Sequence, residues 1–370
     1  MLAPARNLRS CLADLLHSAQ AQDRPKQGRT DAPVKAWFLL GPRQLEPREA
    51  PEPQPGPDEA LVRVGAVGIC GSDAEAYTGK HPLPNYPRLP GHEFAGEVVA
   101  AGAEWRGVPV GRRVAVDPAL SCGVCYPCRQ GRRNCCVSVS IAGVHRPGAM
   151  TELVVCKAGQ LFPIPEEMSF DTAAMVETLS IGAQATRRGN VQDGDQVVIL
   201  GAGPIGLCCL MMARLRGGRV LVSEPLAWRR QLAEEMGAEA CVDPSREPVL
   251  EAVNEFTDGG GANVVMDATG ELEGAESAFA LVGSAGRVVI LTLADQPIKV
   301  RPWQLVRQEL SVVGSRLSVA DLGELVNLAA LGKAPVDRLV TNRYPFEEAP
   351  EAFAAVARRE EGVVKAVVVL

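Results

Sequence analysis

The chain has no apolar run that reaches the roughly 18 residues of a membrane span, no excess of basic charge and no internal repeat. The first absence predicts a protein that does not cross a membrane by a helix. The second is a formal net charge of −6 over 370 residues. That balance opposes binding to a nucleic-acid backbone, where affinity comes from many lysine and arginine contacts to phosphate. The four tryptophans, Trp37, Trp105, Trp228 and Trp303, form no pattern on which bases would stack. No secretory leader is evident, so the 11 cysteines are expected as reduced thiols in the cytoplasm, not as a disulfide framework. What is present is an ordinary globular composition, 46% hydrophobic and 22% charged, long enough for one or two domains with a sizeable core.

Residues 1–33 differ from the rest. Arg6, Arg9, Arg24, Lys26 and Arg29 outnumber Asp14, Asp23 and Asp31, and Leu8, Leu12, Leu15 and Leu16 share one helical face. The acids argue against a transit peptide, and the expectation is a dispensable, poorly ordered extension.

The stretch around which the chain is organised is Val197-Val198-Ile199-Leu200-Gly201-Ala202-Gly203-Pro204-Ile205-Gly206. A β-branched apolar run predicts a buried parallel strand. The Gly-x-Gly-x-x-Gly that follows opens a helix-compatible run from Leu207 to Leu215. Gly201 permits the tight turn, Gly203 lets a pyrophosphate touch the backbone, and Gly206 lets the helix lie close on the sheet. The helix N-terminus, entered through Pro204 and Ile205, offers free N–H groups to phosphates. The next predicted strand, Arg219 to Ser223, ends at Glu224, close to the spacing of about 20 residues expected for an acid on the adenosine ribose. Such a carboxylate repels a 2′-phosphate, so NAD is expected over NADP. Arg229 and Arg230 follow and are the groups that would hold a phosphate instead. Beyond this point strands and helices alternate to about Gly314, with Thr269-Gly270 and Leu291-Thr292-Leu293 at strand ends. This predicts a doubly wound parallel sheet whose crevice is lined by those ends.

Upstream, Val34 to Leu40, Ala60 to Val67, Phe94 to Ala100 and Gly111 to Val116 are predicted strands, separated by Gly- and Pro-rich connections such as Pro42 to Pro57 and His81 to Pro90. Many short strands suggest a barrel-like β domain. Cys122, Cys125, Cys128 and Cys136 follow at spacings that wrap one tetrahedral zinc at Zn–S of about 2.3 Å, a closed structural site with no place for substrate. Inert or redox cysteines are the alternative, and the adjacent Cys135 competes for the fourth position, although the spacing favours Cys136. A helix is predicted from Phe170 to Arg188, carrying Glu177.

Gly68-Ile69-Cys70-Gly71-Ser72-Asp73, Gly91-His92-Glu93, the Cys122–Cys136 tetrad, Glu177 before Leu179, and the Gly201–Gly206 turn together resemble the zinc-dependent medium-chain dehydrogenases. They do so in order and approximate spacing, over about Val34 to Leu370. The likeness is to the polyol branch, such as sorbitol dehydrogenase, with threonine dehydrogenase near it. The resemblance implies an α/β protein with a GroES-like barrel-like catalytic domain and a Rossmann domain. It divides the chain into a catalytic domain at 34–188 with a zinc lobe at about 118–138, an NAD-binding domain at 189–315, and a return segment at 316–370. It implies two zinc ions per subunit, NAD as cofactor, a small-molecule alcohol as substrate and a homodimer or homotetramer. Cys70 and His92 would hold the catalytic zinc with Glu93, with Glu177, or with each at different steps. The fourth position is left for the alcohol, zinc acts as Lewis acid, and the nicotinamide takes the hydride.

In that family the hydroxyl at Ser72 passes the alcohol proton toward solvent. The histidine often found three residues later is Glu75 here, which leaves that exit route without its imidazole. Asp73 is expected to be structural, bonding a metal-bound histidine from behind. Tyr77, His145 and Arg316 are weaker substrate-pocket candidates, with packing or surface roles as the alternative. The expected reaction is oxidation of a secondary alcohol, namely a polyol, sugar alcohol or sugar acid. A 3-hydroxy amino acid such as threonine is the alternative substrate, and a zinc-ribbon interaction module is the alternative of another class. Intact Cys70, His92 and tetrad speak against a zinc-free quinone reductase.

Overall fold

A computed structural model describes residues 33–81 and 86–370. All but the last residue of the expected extension, and positions 82–85 of the loop before His92, lie outside the described residues. The described chain opens with a hairpin of β1 (Val34–Gly41) and β2 (Gln44–Ala50). The prolines of 42–57 predict a connection without a strand, yet β2 pairs antiparallel with β1 and sets Pro47 opposite Trp37. Both strands form a two-stranded sheet of their own, so β2 is an edge strand, where the N–H that proline lacks costs no second partner.

The chain continues through β3 (Glu59–Gly68), α1 (Gly71–Thr78), β4 (Glu93–Ala101), β5 (Arg113–Val116), β6 (Ala119–Leu120), α2 (Tyr126–Arg129), β7 (Ser140–Ile141), β8 (Leu153–Lys157), β9 (Leu161–Pro163) and α3 (Phe170–Arg188). It then alternates: β10 (Gln196–Leu200), α4 (Pro204–Leu215), β11 (Arg219–Ser223), α5 (Ala227–Glu235), β12 (Ala240–Val242), α6 (Val249–Phe256), β13 (Ala262–Asp267), α7 (Leu272–Leu281), β14 (Val282–Ile290), α8 (Pro302–Gln308) and β15 (Ser311–Gly314). It closes with α9 (Leu322–Ala330), β16 (Val340–Pro345), α10 (Ala349–Arg358) and β17 (Lys365–Val369).

Two sheets carry the architecture. One has six parallel strands in the order β12-β11-β10-β13-β14-β15. The strand order turns outward on both sides of β10, which places a ligand crevice at the carboxyl ends of β10 and β13. The other has seven strands, with the path β16-β17-β3-β4-β5-β9 and β8 also on β3. Here β3 is central: β4 runs along one edge, while β8 and β17 share the other. The return of the last strand onto β3 makes the sheet depend on both ends of the described chain.

Helix α3 lies between the sheets. Ser169 caps its start, accepting the Thr172 N–H, Asp171 stands in its first turn and Arg187 and Arg188 in its last, each matching the helix dipole. Its small residues are buried on nearly every side, the pattern of a helix enclosed by protein. One apolar cluster runs from Ala66, Ala95 and Ala115 of the seven-stranded sheet through Met175, Val176 and Leu179 of α3 to Leu207 and Cys208 of α4 and Val197 of the six-stranded sheet. Gly182 makes the contact with α4 close: a Cβ there would stand 2.4 Å from the Cys208 backbone carbon.

Candidate active site

The strand register brings the reactive residues together. Gly68 of β3 pairs with Glu93 of β4, so Cys70, just past the end of β3, meets His92, just before the start of β4. Ligand atoms of Cys70, His92 and Glu93 all lie within 4.8 Å of one another. On the other edge of β3, Val367 pairs with Gly68, which brings Lys365 in from the chain terminus. Its Nζ donates to both Glu93 oxygens at 2.6 Å. Gly68 is required here: a Cβ would come 2.4 Å from Glu93 Oε2 and 2.6 Å from Met175 Cε on α3.

Glu177 of α3 is buried beside them, close enough to feel the charges of His92 and Glu93, but its carboxylate is not among the ligand atoms that meet within 4.8 Å. Burial pushes its carboxyl up to about 7, partly offset by His92. Burial also works against the charges of Glu93 and Lys365, but each is outweighed by the other: the carboxyl of Glu93 is lowered and the ammonium of Lys365 is raised. Burial opposes charge on His92 too, and Asp73, Cys70 and Glu93 overcome it. Asp73 Oδ2 stands 3.4 Å from His92 Nδ1, an electrostatic contact without the alignment of a hydrogen bond, since Nδ1 has no aligned acceptor. The Asp73 carboxylate also accepts from the Cys70 N–H and from Arg88 Nη2, each at 3.3 Å. One buried acid thus ties the backbone of Cys70, the ring of His92 and a buried guanidinium. The three clustered donors, a thiol, an imidazole and a carboxylate, suit a divalent transition metal with a fourth position open.

At the crevice of the six-stranded sheet, Gly201 adopts φ +96°. A Cβ on Gly206 would lie 1.9 Å from the Gly201 carbonyl oxygen. A Cβ on Gly203 would meet no protein atom within 4 Å, so nothing inside the chain calls for glycine at that position. Pro204 and Ile205 open α4. Glu224 is drawn inward: Oε2 accepts the Ala202 N–H at 2.8 Å and Oε1 the Leu226 N–H at 3.0 Å. Arg230 is committed to the Glu224 and Pro225 carbonyls and to Asp243, which removes it as a free phosphate-binding group. Arg229 bonds the Val363 carbonyl, and its Nε is buried without a partner. Thr269 bonds Asp267 Oδ1 at 2.7 Å. Leu291 follows β14, the Thr292 hydroxyl is buried without a partner, and Leu293 is exposed.

The four thiols of Cys122, Cys125, Cys128 and Cys136 form a second cluster within 4.8 Å. Sulfurs on one tetrahedral zinc stand about 3.8 Å apart, and Cys125 and Cys128 are 3.4 Å apart. Backbone N–H groups of Cys128 and Val137 pull the Cys125 thiol down to about 6, while burial and the neighbouring Cys125 push the Cys128 thiol up to about 11, so the pair favours one thiolate, not two. Asn134 and Arg133 tie this lobe to the Arg316 and Ala320 carbonyls.

The weaker candidates separate. Tyr77 is a packing residue, 9% exposed and 5.8 Å from the Phe353 ring. Ser72 lies in the first turn of α1, half-buried. His145 accepts the Ile141 N–H through Nδ1, and its ring is kept neutral by burial and by the charges of Arg316 and Arg88. His145 and Arg316 are therefore neighbours across the two halves of the chain. Sequence reasoning missed Lys365 and Arg88. A lone lysine in the apolar run Val363-Val364-Lys365-Ala366-Val367-Val368 is a signal that would have found the first.

A family model described as the alcohol dehydrogenase GroES-like domain matches residues 56–166, and one described as zinc-binding dehydrogenase matches residues 204–330. L-galactonate-5-dehydrogenase of Escherichia coli strain K12 is 32% identical over 88% of this chain and 96% of its own. A Sinorhizobium meliloti 1021 protein assigned as a zinc-binding dehydrogenase, solved with NADP, superposes with a TM-score of 0.86 at 34% identity, covering 92% of this chain and 100% of its own. An alcohol dehydrogenase from E. coli CFT073, solved with NADH, gives 0.86 at 31% identity over 92% and 100%.

Proposed function

The chain belongs to the zinc-dependent medium-chain alcohol dehydrogenase family, and from that premise we propose that it oxidises a secondary alcohol to a ketone with hydride transfer to NAD. The substrate class is a polyol, sugar alcohol or sugar acid, in line with the sugar-acid activity in the name of the E. coli relative. The observation that carries the reading is the convergence of Cys70, His92 and Glu93 within 4.8 Å, with Glu177 beside them on the helix that packs against α4.

When bound, zinc supplies Lewis acidity to the alcohol oxygen and NAD accepts the hydride. Cys70 and His92 would hold the ion, and Glu177 would join them by moving in from just outside the 4.8 Å cluster. Glu93 already has a cation in Lys365, whereas Glu177 has none within ion-pair distance among the described residues, so the buried Glu177 carboxylate is the one that calls for a metal. Ser72 takes the alcohol proton toward solvent, and Asp73 orients His92. The Gly201–Gly206 turn, with Pro204 and Ile205, cradles the pyrophosphate. Glu224 and Arg229 face the adenosine ribose, and Thr269 and the 291–293 segment line the nicotinamide. The inward turn of Glu224 still leaves a lone pair on each oxygen for ribose hydroxyls. His145 and Arg316 contact the polar groups of the substrate. The tetrad would hold the second, structural zinc.

The same reading divides the chain into a catalytic part, 34–188 with 316–370, and a dinucleotide part, 189–315. It makes the protein a cytoplasmic homodimer or homotetramer. No helix among the described residues is long and apolar enough to cross a membrane. The outer strand β15 exposes Val312, and the preceding helix α8 exposes Trp303 at 65% and Val306 at 81%, an apolar edge suited to a second copy. The test is NADH and NADPH formation across polyols, aldonates and threonine, on protein of measured zinc content and mass. Turnover with none of these at full zinc loading would refute the substrate class.

A further inference from the structure

Apart from the metal-ligand cluster and the dinucleotide crevice, the described residues shape a cavity of about 490 Å³. It lies between the β1–β2 hairpin with residues 51–54, residues 87–89, the loop 144–148 and strand β8. Its size is that of a small-molecule site. The walls are apolar, from Val34 and Phe38 on β1 to Leu153 on β8, and none of the candidate metal ligands contributes to them.

Arg88 and Arg146 are among the lining residues, as is His145, the proposed substrate contact, which feels the charge of Arg88. A guanidinium carries five N–H donors. The hydrogen bonds these two make are few: Arg88 Nη2 to Asp73, and Arg146 Nη2 to the Pro118 carbonyl at 2.9 Å. The Nε of each is buried without a partner and closed to a ligand, so an incoming anion would reach only the outer guanidinium nitrogens. Two carboxylates share the lining, Glu52 and Glu59, and Glu59 is turned onto the Gly56 N–H at 2.9 Å. An apolar chamber with an under-satisfied cationic wall fits a ligand with an apolar body and one anionic head.

Arg88 also connects this chamber to the metal-ligand cluster. Its guanidinium holds one oxygen of Asp73, and the other oxygen faces His92 Nδ1 and the Cys70 N–H. A carboxylate arriving at Arg88 competes with Asp73 for the same donors. We infer that the cavity is a second ligand site, for a small monocarboxylate with an apolar chain or ring, and that its occupancy is transmitted through Arg88 and Asp73 to His92. Binding here does not depend on the dehydrogenase reading, and the two fail separately, because binding is read without turnover.

The probe is hexanoate, titrated calorimetrically into full-length, zinc-loaded protein, with hexanamide as its neutral counterpart. Hexanoate is expected to bind, and hexanamide to bind roughly tenfold more weakly. Leu153→Trp, which fills the chamber, and Arg146→Gln, which keeps its shape, are each expected to weaken hexanoate by roughly tenfold or more. If Leu153→Trp does not fold, Arg146→Gln decides. Saturating hexanoate is expected to change the rate at which a chelator removes zinc by roughly threefold, and this change is absent in the weakened variant. Equal affinity for acid and amide, full affinity in the variants, or loss of binding on zinc removal would overturn the site. So would binding seen only in a chain lacking residues 1–32, which would assign the chamber to that segment. An unchanged chelation rate at saturation would overturn the transmission.

Discussion

The two clusters of metal-binding side chains are built in opposite ways. The tetrad comes from one short stretch, Cys122 to Cys136, on a lobe that is half exposed, and its support is backbone N–H groups aimed at sulfur. The other cluster is drawn from the ends of β3 and β4, the middle of α3 and the last strand of the chain. It is buried, mixes thiol, imidazole and carboxylates, and contains its own cation. The first cluster organises its surroundings, whereas the second is organised by them. An ion in the first stabilises a lobe with little core of its own. An ion in the second has an open position and can touch substrate.

The sharpest break of this contrast is Cys70→Ala. It is expected to lower turnover by about 10³-fold or more and remove one zinc per chain, while the melting temperature moves by less than about 3 °C. Turnover near wild type with one zinc gone would erase the distinction. Next is Lys365→Met, which leaves Glu93 charged, buried and unpaired at a cost of roughly 3–5 kcal/mol. Adding Glu93→Gln is expected to recover most of it in denaturant titration. Cys125→Ala reverses the first outcome: the melting point falls by about 10 °C, and kcat of the surviving protein stays within about twofold. A smaller effect sorts the two acids. Glu177→Gln is expected to weaken the exchangeable zinc by about tenfold relative to Glu93→Gln, read by competition with a chelator; the opposite order would make Glu93 the ligand. Smallest is Glu224→Ala, expected to shift the NAD-to-NADP preference by about tenfold and to raise KM for both cofactors, because the Ala202 N–H loses its acceptor.

What could be read before any coordinates follows the same division. The tetrad, the Gly201 turn and helix Phe170–Arg188 are local, and their residues state their own spacing and period. Cys70, His92 and Glu177 were legible only as pieces of a family pattern, because nothing in their separate neighbourhoods says that they meet. Strand β2 was hidden by Pro47, whose meaning depends on whether its strand has one neighbour or two. Lys365 and Arg88 escaped for a related reason: a buried cation declares itself by its partner, and Glu93 lies 272 residues from Lys365 and Asp73 15 residues from Arg88, across a loop. The inward turn of Glu224 depends on a backbone N–H, which composition cannot reveal.

Helix α3 has one more consequence. It delivers Glu177 at one point and locks onto α4 at Gly182, so a single rigid rod sets the spacing between the proposed metal and the dinucleotide turn. Hinge movement between the halves therefore has to flex around that rod. A chimera with a relative therefore disturbs one face of the rod wherever it is cut: ahead of Ser169 the rod meets a foreign β3–β5, and at Gly189 a foreign α4.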